Sequence, residues 1–149
     1  MSRPTYDANL HHASNPLVRR RERRSDCPIN FALQTFGDPW SLLVIRDLMF
    51  TEARNYGAFL AAGEGIATNI LAARLQHLQR VGLIRRRGAE YGLTQKGLDL
   101  LQAMLELVAW SAKHDKRTAA PRAFVARINK DRACVLEELT ERLRATYGL

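Results

Sequence analysis

The chain has 149 residues, 46% of them hydrophobic, enough for one core or for one domain with an appended helical segment. A formal net charge of +8 and an isoelectric point near 10.2 favour a polyanionic partner, while charge alone leaves DNA, RNA and an anionic membrane surface open. With no apolar run of about 18 residues and no apolar signal core, a membrane anchor is not expected and a cytoplasmic location is.

Residues 1–24 are polar, contain Pro4 and Pro16, lack periodicity and end in the run Arg19-Arg20-Arg21-Glu22-Arg23-Arg24. They read as a mobile basic arm, more often a solvated tail than a specific reader; salt-sensitive phosphate or minor-groove contacts are the sharper alternative. His11 and His12 have no further ligand at a metal-like spacing, and no metal or cofactor is expected. Ser25-Asp26-Cys27-Pro28 then reads as a helix start, an oxygen-bearing cap followed by proline in the first turn, and the helix continues through Phe31, Leu33 and Phe36 to Gly37-Asp38-Pro39. A second, largely buried helix is expected over 40–49, with Trp40, Leu43, Val44 and Leu48 apolar, and a short third one over 56–62.

Gly63 and Gly65 permit a turn into the most informative stretch. Thr68 is the expected N-cap of a fourth helix in which Leu71, Leu75, Leu78 and Gly82 fall on one stripe. Asn69, Ala73, Gln76 and Arg80 lie opposite, with His77 beside them. That face has little bulk near its start and carries side chains suited to adenine or guanine edges in a major groove, so Thr68, Asn69, Ala73, Gln76, His77 and Arg80 are the candidate base readers. Taken alone, an ordinary solvated face explains it equally well.

The next segment shifts the balance. Residues 83–87 are strand-like, Gly88-Ala89-Glu90 supplies a turn, and Tyr91 to Leu93 can return as the paired strand, with Thr94 capping the following helix. Arg85, Arg86 and Arg87, together with Arg54, are the candidate phosphate contacts, because arginine forks hold phosphate oxygens and set register while the preceding helix reads sequence. An edge strand protected by charge is the rival explanation, weaker once the helix is counted with it. The helix after Thr94 has one stripe of Leu98, Leu101, Leu105, Val108 and Ala112, widened by Leu100, Met104, Leu107 and Trp110. Apolar on two sides, it is expected to bury one of them against a second subunit, with Phe31, Leu98, Leu101, Leu105, Val108 and Trp110 in a twofold homodimer interface. Two recognition helices would then enter successive major grooves about 34 Å apart, on an imperfect inverted repeat. Beyond the loop 116–121, Phe124, Val125, Ile128, Cys134, Val135, Leu136, Leu139 and Leu143 recur at helical spacing as an accessory helical hairpin expected to complete the dimer core.

The elements in order are helix, turn, recognition helix and wing. Cys27-Pro28, Gly37, Trp40, the run 42–48, Arg54-Asn55-Tyr56, Gly65-Ile66, Leu71, Arg74-Leu75, Leu78, Gly82-Leu83-Ile84, Tyr91, Leu93-Thr94 and Gly97 resemble the HxlR-type transcriptional regulators, a branch of the MarR-like winged-helix proteins. The resemblance covers roughly residues 27–110. It implies an α+β, mostly α fold: a winged helix-turn-helix with a short two-stranded wing and N- and C-terminal dimerisation helices. It also implies a non-enzymatic, dimeric regulator of transcription, a repressor by expectation. The wing here is shorter than the family's commonly proline-bearing one, which assigns it to holding phosphates rather than reading the minor groove. The expected organisation is a basic arm over 1–24, the winged domain over 25–114 and an accessory helical segment over 115–149.

Cys27 is the one candidate for regulated chemistry. A thiol in a first helical turn feels the positive end of the dipole, and nearby arginines would favour thiolate. Some members of the resembled family sense oxidants or quinones through a cysteine at this motif position, which makes a small oxidant or electrophile a candidate effector; an inert interfacial cysteine is the commoner alternative. Cys134, in an apolar helix, reads as packing, and two cysteines so far apart are expected as reduced thiols. No P-loop, G-x-G-x-x-G, H-E-x-x-H or G-x-S-x-G stretch occurs, so an enzyme is not expected. An RNA-binding or ribosome-associated basic module, and a helical adaptor with a solubilising charge, stay open beside the DNA reader.

Overall fold

The computed structural model describes residues 25–51 and 53–149, in two units that meet after Asp38. The expected basic arm, with its arginine run and His11 and His12, lies outside the described residues. In the first unit Pro28 stands in the first turn of α1, Pro28–Phe36, where its fixed φ suits the helix and its missing N–H costs nothing. Cys27 is the N-cap and makes no side-chain capping bond. The oxygen-bearing cap expected from Ser25 or Asp26 is therefore corrected: the helix starts at Pro28, which leaves the capping position to Cys27, one residue past Asp26 and two past Ser25. Gly37 closes α1 by donating its N–H to the Leu33 carbonyl at 2.8 Å.

The second unit, Pro39–Leu149, begins with three helices: α2, Ser41–Phe50; α3, Tyr56–Ala61; and α4, Thr68–Arg80. Their apolar stripes make the core, in which Ile45, Leu48 and Met49 of α2 and Leu71, Leu75 and Leu78 of α4 are almost wholly removed from water. The N-cap of α4 is Ala67 in extended conformation, and Thr68 is already helical. Thr68 is thus not the cap that was expected, since a hydroxyl inside the first turn cannot reach forward to the open N–H groups. The other end of α4 is closed by Gly82, which the spacing had counted with the helix's apolar stripe and which stands just beyond the helix. Gly82 takes φ 76°, Leu83 N–H donates to the Leu78 carbonyl at 2.9 Å and Gly82 N–H to Gln79 at 3.0 Å, the paired bonds of a left-handed glycine stop.

Two strands follow, β1, Ile84–Arg87, and β2, Glu90–Leu93, antiparallel across a two-residue turn with Arg85 opposite Gly92 and Arg86 opposite Tyr91. Tyr91 N–H also donates to the Arg54 carbonyl at 2.6 Å and Asn55 bridges Glu90, so the chain just before α3 lies along the free edge of β2. Thr94 caps α5, Gln95–Leu98, accepting the Gly97 N–H on its Oγ1 at 3.1 Å. The helix expected to run on unbroken from Thr94 instead pauses at Asp99-Leu100 before α6, Leu101–His114. The remaining helices are α7, Arg122–Lys130, and α8, Arg132–Tyr147.

Helices α7 and α8 pack on α6 and bury Ile128, Val135, Leu139 and Leu143. The second apolar side of α6 is thus covered by this chain's own tail. Ion pairs Arg132–Glu106 and Arg127–Glu138 join α8 to α6 and α7 at the surface. The arrangement is a mostly helical winged helix-turn-helix. Among the described residues no helix is long and apolar enough to cross a membrane.

Candidate nucleic-acid interface

The angle between α3 and α4 is set by polar contacts spanning their short connection. Asn55 caps α3, its Oδ1 accepting the Ala58 N–H at 2.9 Å, and the Tyr56 hydroxyl donates to the Thr68 carbonyl at 2.6 Å. Glu64, in the turn, accepts from Arg46 Nη1 at 2.5 Å, while Arg46 Nε and Nη2 both donate to Asp47 Oδ1, at 2.8 and 2.6 Å. This ties the turn to α2. Burial lifts the Asp47 carboxyl above the usual carboxylate range, an effect the Arg46 guanidinium opposes without cancelling.

With Leu71, Leu75 and Leu78 inward, α4 presents Thr68, Asn69, Ala73, Gln76 and Arg80 to solvent, and His77 is half-buried at the margin. Ile70 adds an exposed apolar side chain to the same surface. The face is amide and guanidinium donors around a flat centre at Ala73, so a duplex could approach closely there.

The wing has two unlike faces because successive strand residues alternate. Arg86 and Tyr91 point toward α4: the guanidinium carbon lies 5.6 Å from the Tyr91 ring centroid and Nε donates to the Gly88 carbonyl at 2.8 Å. Tyr91 in turn packs edge-on against Phe59 at 6.0 Å. A solvent-open cleft of about 650 Å³ lies between α4 and this face, lined among others by Asn55, Gln76, Gln79, Arg86, Glu90 and Tyr91. On the outer face Arg85 donates to the Tyr147 carbonyl and Arg54 stands 5.7 Å over the Tyr147 ring. Arg86 and Arg87 are exposed, whereas Arg85 and Arg54 are half-buried. The four arginines expected as phosphate contacts are thus split between the wing tip and its root.

The expected subunit contacts divide as well. Leu98, Leu101 and Leu105 are buried within the single chain, Leu105 completely, which corrects their assignment to a partner: Leu98 of α5 belongs to the chain's own core beside β2, and α7 and α8 pack on α6. Val108 is half-buried, and Trp110 is 63% exposed and stacked at 5.0 Å on His114. Ala103, Leu107, Trp110 and His114 form the exposed stripe of α6. In the first unit Phe31 is exposed, as are Ile29 and Leu33. Cys27 is half-buried and Cys134 exposed.

Three contributors escaped the sequence reading. Tyr56 and Glu64 fix the recognition helix, and Tyr147 packs on the wing; each acts through a partner 12 to 99 residues away, beyond any local periodicity. Lys96 is a fourth, its Nζ donating to the Val81 carbonyl at 2.7 Å just past the end of α4.

Comparison with known proteins fits this geometry. Residues 35–119 match the model of the HxlR-like helix-turn-helix family. The HTH-type transcriptional regulator Rv3095 of Mycobacterium tuberculosis is 35% identical over 116 residues, spanning 73% of this chain and 70% of that one. Among solved structures, that of PA1607, described as a candidate transcription factor, aligns with 31% identity and a TM-score of 0.58 over 69% of this chain and 77% of its own. Quinone-bound YodB of B. subtilis aligns with 30% identity and a TM-score of 0.52, over 58% of this chain and 99% of its own.

Proposed function

Because the chain belongs to the HxlR-like helix-turn-helix family, a non-enzymatic family of DNA-binding transcription regulators, we propose that it is a sequence-specific repressor that binds double-stranded DNA as a homodimer. The observation that carries this reading is one cleft with Gln76 of α4 on one side and Arg86 of the wing on the other, beside the exposed Asn69, Ala73 and Arg80 of the same helix and the exposed Arg87 at the hairpin tip. α4 lies in the major groove with Gln76 and Arg80 at base edges, and a phosphate strand passes between it and the wing, held by Arg86 and Arg87. Asn69, Thr68 and His77 flank the reading residues, and Arg54 and Arg85 add positive potential at the root of the wing.

The homodimer forms through the exposed α6 stripe of Leu107 and Trp110, and Phe31, exposed on α1 of the first unit, is a separate candidate contact. Exposed apolar side chains spaced along one helix are the type of surface that a twofold partner covers. The quinone in the YodB structure supports a further element, an electrophile or oxidant response through Cys27, whose place at the N-cap of α1 exposes the thiol to the positive end of that helix.

Selection of bound sites from a random duplex library tests the central reading. An imperfect inverted repeat with half-site centres about 34 Å apart is the expected product. Preference for structured RNA over every duplex would establish the basic-module alternative instead. For Cys27, operator release by quinone that is unchanged in Cys27→Ser would remove the sensor from the proposal.

A further inference from the structure

A two-stranded hairpin is marginal in water unless both its faces and its base are supported. The inner face of this one has Tyr91 on Phe59. The outer face has no side chain at Gly92, and the ring of Tyr147 fills the place: a Cβ on Gly92 would lie 2.9 Å from Tyr147 Cδ1 and 3.2 Å from Cε1. The same tyrosine accepts Arg85 on its carbonyl and donates its hydroxyl to the Leu48 carbonyl at 2.6 Å, and five residues earlier Arg142 donates to the Met49 carbonyl at 2.8 Å. Leu48 and Met49 are in the last turn of α2, where carbonyls have no partner within the helix, so α8 closes that helix end with a hydroxyl and a cation. One residue, only 8% exposed, therefore joins β1, β2 and α2. It stands outside residues 35–119, the part that matches the family.

We propose that Tyr147 is a positioning residue for DNA binding, which holds the wing at a set distance and tilt from α2 so that Arg86 and Arg87 face the same duplex as α4. Its action is indirect: it touches no nucleic acid and spends its contacts on Gly92, Arg85 and Leu48. The inference rests on the reading of the wing as a phosphate holder. A hairpin free to swing would present Arg86 and Arg87 in many orientations, and ordering it would have to come out of the binding free energy.

The test measures the wing without DNA and binding with it. Amide hydrogen exchange of the full chain is followed at residues 85–91 and, as an internal control, at Leu75 and Leu78 of α4. In Tyr147→Ala the hairpin amides should exchange about five- to tenfold faster, the size expected from losing one or two hydrogen bonds, while the α4 amides keep their protection. Tyr147→Phe keeps the ring over Gly92 and should recover most of the protection. Gly92→Ala, which pushes the ring out from the other side, should reproduce the Tyr147→Ala pattern and covers the case in which that variant fails to fold. Hairpin exchange unchanged in Tyr147→Ala, or hairpin and α4 losing protection together in both Tyr147→Ala and Gly92→Ala, overturns the positioning role. With the selected duplex, Tyr147→Ala should bind about tenfold more weakly, equally for matched and mismatched sites. A loosened hairpin with undiminished duplex affinity confirms that Tyr147 positions the wing and overturns the wing as a phosphate holder.

Discussion

The α-carbon of Gly97 lies so close to Leu83 that a Cβ built on it would stand 2.1 Å from the Leu83 carbonyl oxygen. The same carbonyl accepts the Thr94 N–H at 3.1 Å, and Thr94 Oγ1 reaches the Gly82 carbonyl at 2.6 Å. The wing thus leaves α4 and returns to α5 through one backbone junction, where neither side is a movable side chain.

Gly97→Ala should therefore cost about 3 kcal/mol or more, at the upper end of what overpacking costs, because backbone must move to admit the methyl group. Urea denaturation measures it. An unchanged midpoint would show that the junction yields, against the rigid contact described here.

Division of labour between helix and wing predicts two kinds of loss. Gln76→Ala and Arg80→Ala should each relax preference at particular base pairs, by about 1–3 kcal/mol between matched and mismatched sites. Arg87→Ala should weaken all duplexes alike and reduce the salt slope by about 1. Binding titrations on matched and mismatched duplexes at several salt concentrations separate them, and a uniform loss from Gln76→Ala would contradict base reading.

The two sides of α6 should respond differently to substitution. Trp110→Glu, on the exposed stripe, should shift the sedimenting species from dimer to monomer without lowering the urea midpoint of the monomer. Leu105→Ala should instead cost about 2–5 kcal/mol by opening a cavity in the core of each chain. A Trp110→Glu protein that still sediments as a dimer would place the subunit contact elsewhere.

Tyr147 also predicts an alkaline limit. Burial holds its phenol above the ordinary tyrosine range, with Glu90 acting in the same sense and Arg54 and Arg142 opposing. The folded state therefore keeps this proton at a pH where the unfolded chain has released it. The stability contributed is complete below about pH 10, the unfolded value, and declines as the pH rises from there through the folded value. Tyr147→Phe should be less stable at neutral pH by about 1 kcal/mol for the lost bond to Leu48 and should show a shallower decline above about pH 10. Parallel pH profiles for the two proteins would exclude Tyr147 as the source.

Much of the site was legible along the chain, for reasons visible in single residues. Leu71, Leu75 and Leu78 repeat at the period of one helix, so they declared both the buried stripe and the exposed face of Asn69, Ala73, Gln76 and Arg80. Thr94 was readable as a cap because its partner, the Gly97 N–H, is three residues away. Thr68 was misread for a related reason: any threonine before a periodic run looks like a cap, and only the path of the turn through Gly63 and Gly65 decides that Ala67 takes the position. The wing arginines were visible as a cluster, but not that Arg85 turns to the Tyr147 carbonyl while Arg86 turns to the Tyr91 ring.

Periodicity, caps and turns are short-range, and by themselves they determined helix, turn, helix, wing and helix, and with them the family resemblance. They also showed that α6 is apolar on two sides. What covers each side was decided only by the tertiary structure, because a stripe of leucines has the same pattern whether it meets a second copy or residues 122–147 of its own chain. The folded chain put α7 and α8 there and left Leu107 and Trp110 outside. Tyr147 reached Leu48 across 99 residues for the same physical reason: open carbonyls at the end of α2 require donors, and where along the chain those donors arise is settled by packing.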